Sequence, residues 1–469
     1  YGEFYYTNTA GYFSIKTSTA SDSIILFIER RDYTGFMSVI AANDQSIHIY
    51  LQPETGYDYT YMPSGMKEKN SEIENHWLTN IVVSEDQTYL SKNSRNLIEK
   101  DYQLSVLPNI GTYKDESGLC RFKQSYNILA GYVGEINGFE IGLGVNVIRY
   151  DLTGFQFAGI ANVVGGEVSG YQISTGANVV AGNFKGVQTS TCSNTVWENF
   201  IGIQASTGVN IVRKKLRGFQ IAPVNIVADT LLGTQIGAVN ISLKPATGTQ
   251  FSAVLNLAPQ VNSLQYSTFL NICGENFAPQ IGVINVSKTQ NNLQLGLLNF
   301  ADTVPGISIG FLSFVKTGFT HLDYSLNGNT FSSLKFLTGT WKFYNVISTS
   351  VRPDKEPDFA IGYGFGSYFK VWKVFGLNYD LTASQVFENN TFSLSSNILG
   401  QFNFNINFSI AKHFTIYGGA QLNAMFTSNL ANDAINYESS IPPTKTFFDK
   451  QYNNMRCYMW PGFSIGIRI

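Results

Sequence analysis

The chain has 469 residues, 14% of them charged and 14% aromatic, with 43 glycines and a formal net charge of −2. The charged share lies far below the roughly 25% of an ordinary soluble domain, and a near-neutral balance argues against a nucleic-acid partner, which would need a basic patch. No run reaches the about 18 apolar residues of a membrane-spanning helix, and low charge with many aromatics and glycines is the composition of an outer-membrane β-barrel. Tyr1 in place of a start methionine reads as a processed or partial chain.

Residues 1–53 read as short strands, Glu3 to Tyr6, Gly11 to Lys16, Ser23 to Glu29, Gly35 to Ile40 and Ser46 to Leu51, separated by turn-formers. They predict a small β-sandwich. The stretches NTAGYFSIKT, SIILFIERRDYTGF and SIHIYLQPE resemble the carboxypeptidase-regulatory-like domain. That resemblance implies a Gram-negative, Bacteroidota-type setting with this domain in the periplasm. Residues 54–101 are the most charged region, with Lys67, Glu68, Lys69, Glu72, Glu74, Glu85, Asp86, Lys92, Arg95, Glu99, Lys100 and Asp101. A linker with some helix is expected, or a plug inside a barrel; Ser84 and Gln87 have capping-box spacing. In 102–136, Gln103, Ser105 and Leu107 alternate with Leu104, Val106 and Pro108, as a first barrel strand would.

From Gly138 to Asn299 the chain repeats. Glu140, Gln156, Gln172, Gln188, Gln204 and Gln220 stand sixteen apart, and Gln235, Gln250, Gln265, Gln280 and Gln294 follow at fifteen and then fourteen. Asn146, Asn162, Asn178, Asn194, Asn210, Asn225, Asn240, Asn256, Asn271, Asn285 and Asn299 keep step, and a glycine often precedes the first column by two. In Gly170 to Val180, Gln172, Ser174, Gly176 and Asn178 alternate with Tyr171, Ile173, Thr175, Ala177 and Val179, so each unit is β and not helical. Two architectures fit. Each unit is one strand of a closed antiparallel barrel, polar inside and apolar toward lipid; or each is one coil of a β-solenoid with stacked amides. The five-residue gaps from Gln220 to Asn225 and Gln280 to Asn285 favour the solenoid, because a one-residue change flips a strand's faces.

The motifs Pro-x-x-Gly-Thr (Pro108 to Thr112), Ser-x-Asn-x-Leu-Ala-Gly (Ser125 to Gly131) and the tandem Gly-x-Gln…Asn units are similar to a family of surface-repeat outer-membrane proteins from Bacteroidota and spirochaetes. The resemblance covers about residues 102–316 and implies outer-membrane location and architecture.

Past Asn299, Gly306 to Lys316 is a degenerate last copy. Longer aromatic strands follow at Phe319–Asn327, Phe331–Asn345, Asp358–Val371, Val374–Phe387, Thr391–Ile410, Phe414–Phe426 and Met455–Ile469. In the last, Phe463, Ile465, Ile467 and Ile469 face one way and Gly462, Ser464, Gly466 and Arg468 the other. Short turns on one side and the long polar links 346–357 and 427–454 on the other are the barrel pattern, and Tyr417, Tyr458, Trp460 and Phe463 suit interfacial girdles. This half favours the barrel. The fold expected is therefore all-β: a transmembrane antiparallel β-barrel of about 14–20 strands over 102–469, joined to a small N-terminal β-sandwich.

Chemistry is sparse. Cys120, Cys192, Cys273 and Cys457 lack metal or redox spacing and are expected as free or buried thiols. His48, His76, His321 and His413 are scattered; His321 could pair with Asp323 or Asp380, but a lone strand histidine is the plainer reading. No catalytic, cofactor or metal site is expected, and the chain is not expected to be an enzyme. The candidate residues are the barrel's lumen-lining amides Gln156, Gln172, Gln188, Gln204, Gln220, Gln235, Asn162, Asn178, Asn194, Asn210, Asn225 and Asn240, with outer-membrane lipid and proteins of an envelope complex as partners. The function expected is a non-enzymatic outer-membrane scaffold or accessory subunit, in protein insertion or export. The alternatives are a diffusion porin for small polar solutes and a β-solenoid surface adhesin. A 22-stranded TonB-dependent transporter needs more chain than is present.

Overall fold

The computed structural model describes residues 97–329, 331–353, 356–388, 397–411, 413–427, 439–452 and 455–469; before residue 97 it describes 7, 12–14, 23–28, 33, 36–41, 49–51, 73, 76–85, 87–88 and 91. The chain divides into two compact units, Tyr1–Thr247 and Gly248–Ile469. Of the expected N-terminal sandwich, the strands Ser23–Ile28 and Phe36–Ala41 pair antiparallel; most of the other strands assigned to it lie outside the described residues.

In the first unit each repeat is one coil made of two short strands. Val168–Ser174 carries the glutamine and Ala177–Val180 the asparagine. The first strands stack parallel on one another, Gln156 on Gln172 on Gln188, and the second strands likewise, Asn162 on Asn178 on Asn194. This overturns the transmembrane antiparallel barrel of about 14–20 strands. A period of sixteen accommodates a barrel strand and its turn, but it equally accommodates two strands and two corners, and the hydrogen bonds choose the second. The five-residue gap at Gln220 to Asn225 is taken up at the corner Ala222-Pro223, between strands Leu216–Ile221 and Val224–Val227, so no face is flipped.

The glycine column has a steric cause. Gly138, Gly154, Gly170, Gly186, Gly202 and Gly218 have φ between 125° and 149°, a region L side chains avoid. A Cβ on any of them would also lie 1.8–2.1 Å from the carbonyl oxygen of the coil before. Outside the second strands, Val145, Val147, Ala161, Val163 and Val179 pack with Ile73, Val83, Leu78, Val82 and Trp197. The helix Trp77–Val82 thus covers that side of the coils. The expected capping box follows it: Gln87 N donates to Ser84 Oγ and Ser84 N to Gln87 Oε1, both at 3.3 Å.

The second unit opens with further parallel coils, from Thr249–Val261 to Ile307–Val315. Over both units the parallel coils number about 12. Then the chain changes to antiparallel pairing through His321–Asn327, Ser332–Gly339, Tyr344–Arg352, Asp358–Lys370, Phe375–Phe387, Ile398–Ala411, Phe414–Thr427 and Met455–Arg468. The last of these pairs back to the first, Asp323 opposite Arg468, so these eight strands close on themselves. A ninth, Phe448–Tyr452, lies along the start of the last strand. The span Phe331–Asn345, expected as one strand, is broken at Gly339–Phe343, where Thr340 N donates to Phe343 O at 2.8 Å; the link expected at 346–357 is in part the strand Tyr344–Arg352.

The closed sheet has inverted polarity. Leu322, Tyr324, Phe336, Ile361, Phe404, Ile406, Phe463 and Ile465 point out and are exposed, while Asp323, Ser325, Lys335, Asn378, Asp380, Asn403, Asn405 and Arg468 point in and are buried. Arg468 holds Asp323 through two bonds of 2.8 Å and donates to Asn407 Oδ1 at 3.2 Å. Apolar clusters occupy both ends of this interior, Phe331, Val386, Met425 and Trp460 at one and Phe319, Leu337, Tyr344 and Val346 at the other. The last coil is capped by this sheet. Asn345 accepts from Ser313 N at 3.1 Å and donates to Gly310 O at 2.6 Å, Thr338 Oγ1 donates to Ser313 O at 2.8 Å, and Tyr363 OH donates to Phe311 O at 2.8 Å. An open strand edge that would otherwise recruit another chain is satisfied by side chains.

Candidate functional site: the outer face of the coils

The twelve candidate amides are brought together, but not around a lumen. Gln156, Gln172, Gln188, Gln204, Gln220, Gln235, Asn162, Asn178, Asn194, Asn210, Asn225 and Asn240 are all fully buried inside the coils. Parallel strands sit about 4.8 Å apart, which sets stacked amides at hydrogen-bonding distance. In the first column the donor points back along the chain: Gln172 Nε2 to Gln156 Oε1 and Gln188 Nε2 to Gln172 Oε1, at 2.9 and 2.8 Å. In the second it points forward: Asn162 Nδ2 to Asn178 Oδ1 and Asn178 Nδ2 to Asn194 Oδ1, at 2.9 and 2.8 Å. Asn162, Asn178, Asn194, Asn210 and Asn225 also donate to a backbone carbonyl of the next coil, as Asn178 does to Thr189 O at 2.7 Å. The porin expectation loses its pore wall, because these amides are consumed by one another.

Both columns meet at Glu140. It receives Gln156 Nε2 and Asn127 Nδ2 at 2.8 Å and Ser125 Oγ at 3.1 Å. Burial raises its pKa to about 7, against the lowering by these three donors. In the second unit the columns end on serines: Asn299 Nδ2 donates to Ser313 Oγ and Ser308 Oγ to Gln294 Oε1.

A groove of about 650 Å³ lies open on the first unit. It lies where one coil passes to the next, across five successive coils. One wall is Asp151, Glu167, Asn183, Asn199 and Lys215, and the other Thr153, Ser169, Lys185, Ile201 and Arg217. Leu152, Val168, Phe184 and Phe200, pointing inward between the walls, form the floor. The phenyl rings of Phe184 and Phe200 stack at 5.0 Å and 10°.

The first wall is self-bonded. Asp151 accepts from Glu167 N at 2.6 Å, Glu167 from Asn183 Nδ2 at 3.0 Å, Asn183 from Asn199 Nδ2 at 3.0 Å, and Asn199 from Lys215 N at 3.3 Å. These bonds tie down the corner backbone, so the groove is preformed. Charge changes sign along the groove, with Asp151 and Glu167 on its first two coils, Lys185 on the middle one and Lys215 and Arg217 on the last. In the basic run from Arg213 to Arg217, Arg213 lies over the Trp197 ring at 4.6 Å and Lys214 pairs with Glu198. Lys215 and Arg217 turn instead into the groove. Sequence reasoning missed these residues, although the third column, Asp151, Glu167, Asn183, Asn199 and Lys215, runs at the same period of sixteen.

His321 does not form a catalytic pair: Asp323 is held by Arg468, and His321 packs on Phe319 at 4.6 Å and Trp341 at 6.3 Å. All four cysteines are free; Cys192 is exposed, and Cys120, Cys273 and Cys457 are buried. No family model matches the chain, and neither a curated protein nor a solved structure matches it.

Proposed function

We propose that this chain is a non-enzymatic surface adhesin of the cell envelope, a β-solenoid that binds through the outer face of its coils and is held at the outer membrane. The observation that carries this reading is the outer surface of the first strands. Exposed Ile201, Ile203, Phe219, Ile221 and Ile236 form an apolar band on three successive coils, and half-buried Val187 links it to exposed Tyr171, beside a preformed polar groove. Contiguous exposed apolar surface of this kind marks interaction sites, and a stack of coils repeats the same contact many times.

The membrane location rests on the second unit. The closed sheet keeps its charges and amides inside and shows Leu, Ile, Phe and Tyr around its outer face. In water that face loses about 25 cal/mol for each Å² of apolar surface left wet; against lipid it loses nothing. Lipid is thus the partner proposed for this face.

The exposed Cys192 is a built-in probe, since the other three thiols are buried. Intact cells producing the full chain are treated with a membrane-impermeant maleimide. The reading expects Cys192 to label, the chain to fractionate with outer membrane, and producing cells to adhere more than cells lacking it. A chain that stays in the soluble fraction, or adhesion that does not change, refutes it.

A further inference from the structure

We infer that the groove on the first unit binds an extended anionic polysaccharide, with the acidic groups of the sugar chain on Lys185, Lys215 and Arg217. This deepens the adhesin reading and rests on it.

The shape selects a linear ligand. The groove crosses five coils, so its walls extend over about 19 Å at the spacing of parallel strands, about 4.8 Å per step. Its volume, about 650 Å³, is that of a small-molecule site, but it is drawn out along a periodic wall. A polymer with regularly spaced polar groups meets such a wall at several rungs together, and each added rung raises the effective concentration of the next contact.

The chemistry selects an acidic sugar. Lys185, Lys215 and Arg217 are exposed and take no ion-pair partner among the described residues. They occupy the half of the groove from its third to its fifth coil, over about 10 Å of wall, where carboxylates or sulfates would neutralise them; Arg217 can take a carboxylate through two parallel bonds. Toward the other end the wall is amide, hydroxyl and carboxylate, the groups that bond sugar hydroxyls.

Two other linear polyanions fit less well. Single-stranded nucleic acid needs exposed aromatic platforms, whereas Phe184 and Phe200 are buried in the floor. An acidic peptide docking as an added strand needs free backbone donors. Here the wall's donors at Glu167, Asn199 and Lys215 are already bonded to side chains of the preceding coil.

The test is equilibrium binding of fluorescent oligogalacturonate to the full chain in mild detergent, beside neutral amylose oligosaccharide, polyglutamate and single-stranded DNA. The inference expects oligogalacturonate to bind and the other three to bind at least ten-fold more weakly. Charge reversal at two exposed positions, Lys185→Glu with Arg217→Glu, should weaken it at least ten-fold more, with the thermal transition unchanged. Equal binding of polyglutamate or DNA overturns the inference, as does affinity that survives the double reversal. Failure of the adhesin reading is seen separately: producing cells that adhere no better than non-producing ones refute that reading, while adhesion without oligogalacturonate binding refutes only the ligand.

Discussion

The asparagine column predicts an unusually costly single substitution. Asn178 makes three hydrogen bonds, donating to Asn194 Oδ1 at 2.8 Å and Thr189 O at 2.7 Å and accepting from Asn162 Nδ2 at 2.9 Å. Leucine is similar in size but supplies none of them. Asn178→Leu therefore leaves one donor and two acceptors buried without partners, at about 1–3 kcal/mol each. The buried apolar side chain returns about 2 kcal/mol, for a net loss of about 4 kcal/mol. The measurement is urea unfolding of the full chain, with hydrogen exchange on Val168–Ser174, Ala177–Val180 and Phe184–Ser190 to localise the effect. Coils interact mainly with their neighbours, so protection should fall most in the coils next to position 178. An exposed control, Asn137→Ala, should stay within about 0.5 kcal/mol. A loss under about 1 kcal/mol, or one spread evenly over the chain, refutes the ladder: in a wet lumen the stranded groups would simply bond to water.

Three further outcomes are expected. The folded-state pKa of Glu140 is raised from 4.5 to about 7, so its contribution is intact below about pH 4.5 and is lost as pH rises toward 7, by about 3 kcal/mol at 1.36 kcal/mol per unit; in unfolding titrations Glu140→Gln should flatten this slope and be the more stable form at pH 8, and a slope equal to that of the parent chain would refute the assignment. Gly186→Ala sets a Cβ 1.9 Å from Gly170 O at φ 137°, so hydrogen exchange should show that coil opening, whereas unchanged protection would mean the coils do not stack this closely. Asn345→Leu removes the cap on Ser313 N and Gly310 O and frees a strand edge; light scattering in detergent should show association that the parent lacks, and a strictly unassociated variant would show the cap to be dispensable.

How much was readable follows the period of each signal. The eleven-fold columns, the alternation of the last strand and the Ser84–Gln87 capping box can all be read from residue spacing, because each depends on neighbours in the chain. Alternation reports that a strand has two environments. It does not report which strand lies beside it, or in which direction that strand runs. The amides of Gln172 and Asn178 thus look the same in the sequence whether they face water across a wide sheet or bond Gln188 and Asn194 in the next coil. The same ambiguity hid the groove, since nothing in the spacing of Lys185 and Arg217 says that stacking sets them two coils apart on one wall.

By itself, then, the sequence determined that the chain is all-β, where its repeats fall, and that its final strands separate apolar from polar faces. Only the tertiary structure decided that the repeats coil in parallel and that the antiparallel strands close at eight, a smaller number than the whole length allowed. The reason is physical: a side chain's preference for water or for burial is local, while the backbone partner that satisfies each N–H and C=O is set by contacts between residues far apart in the chain.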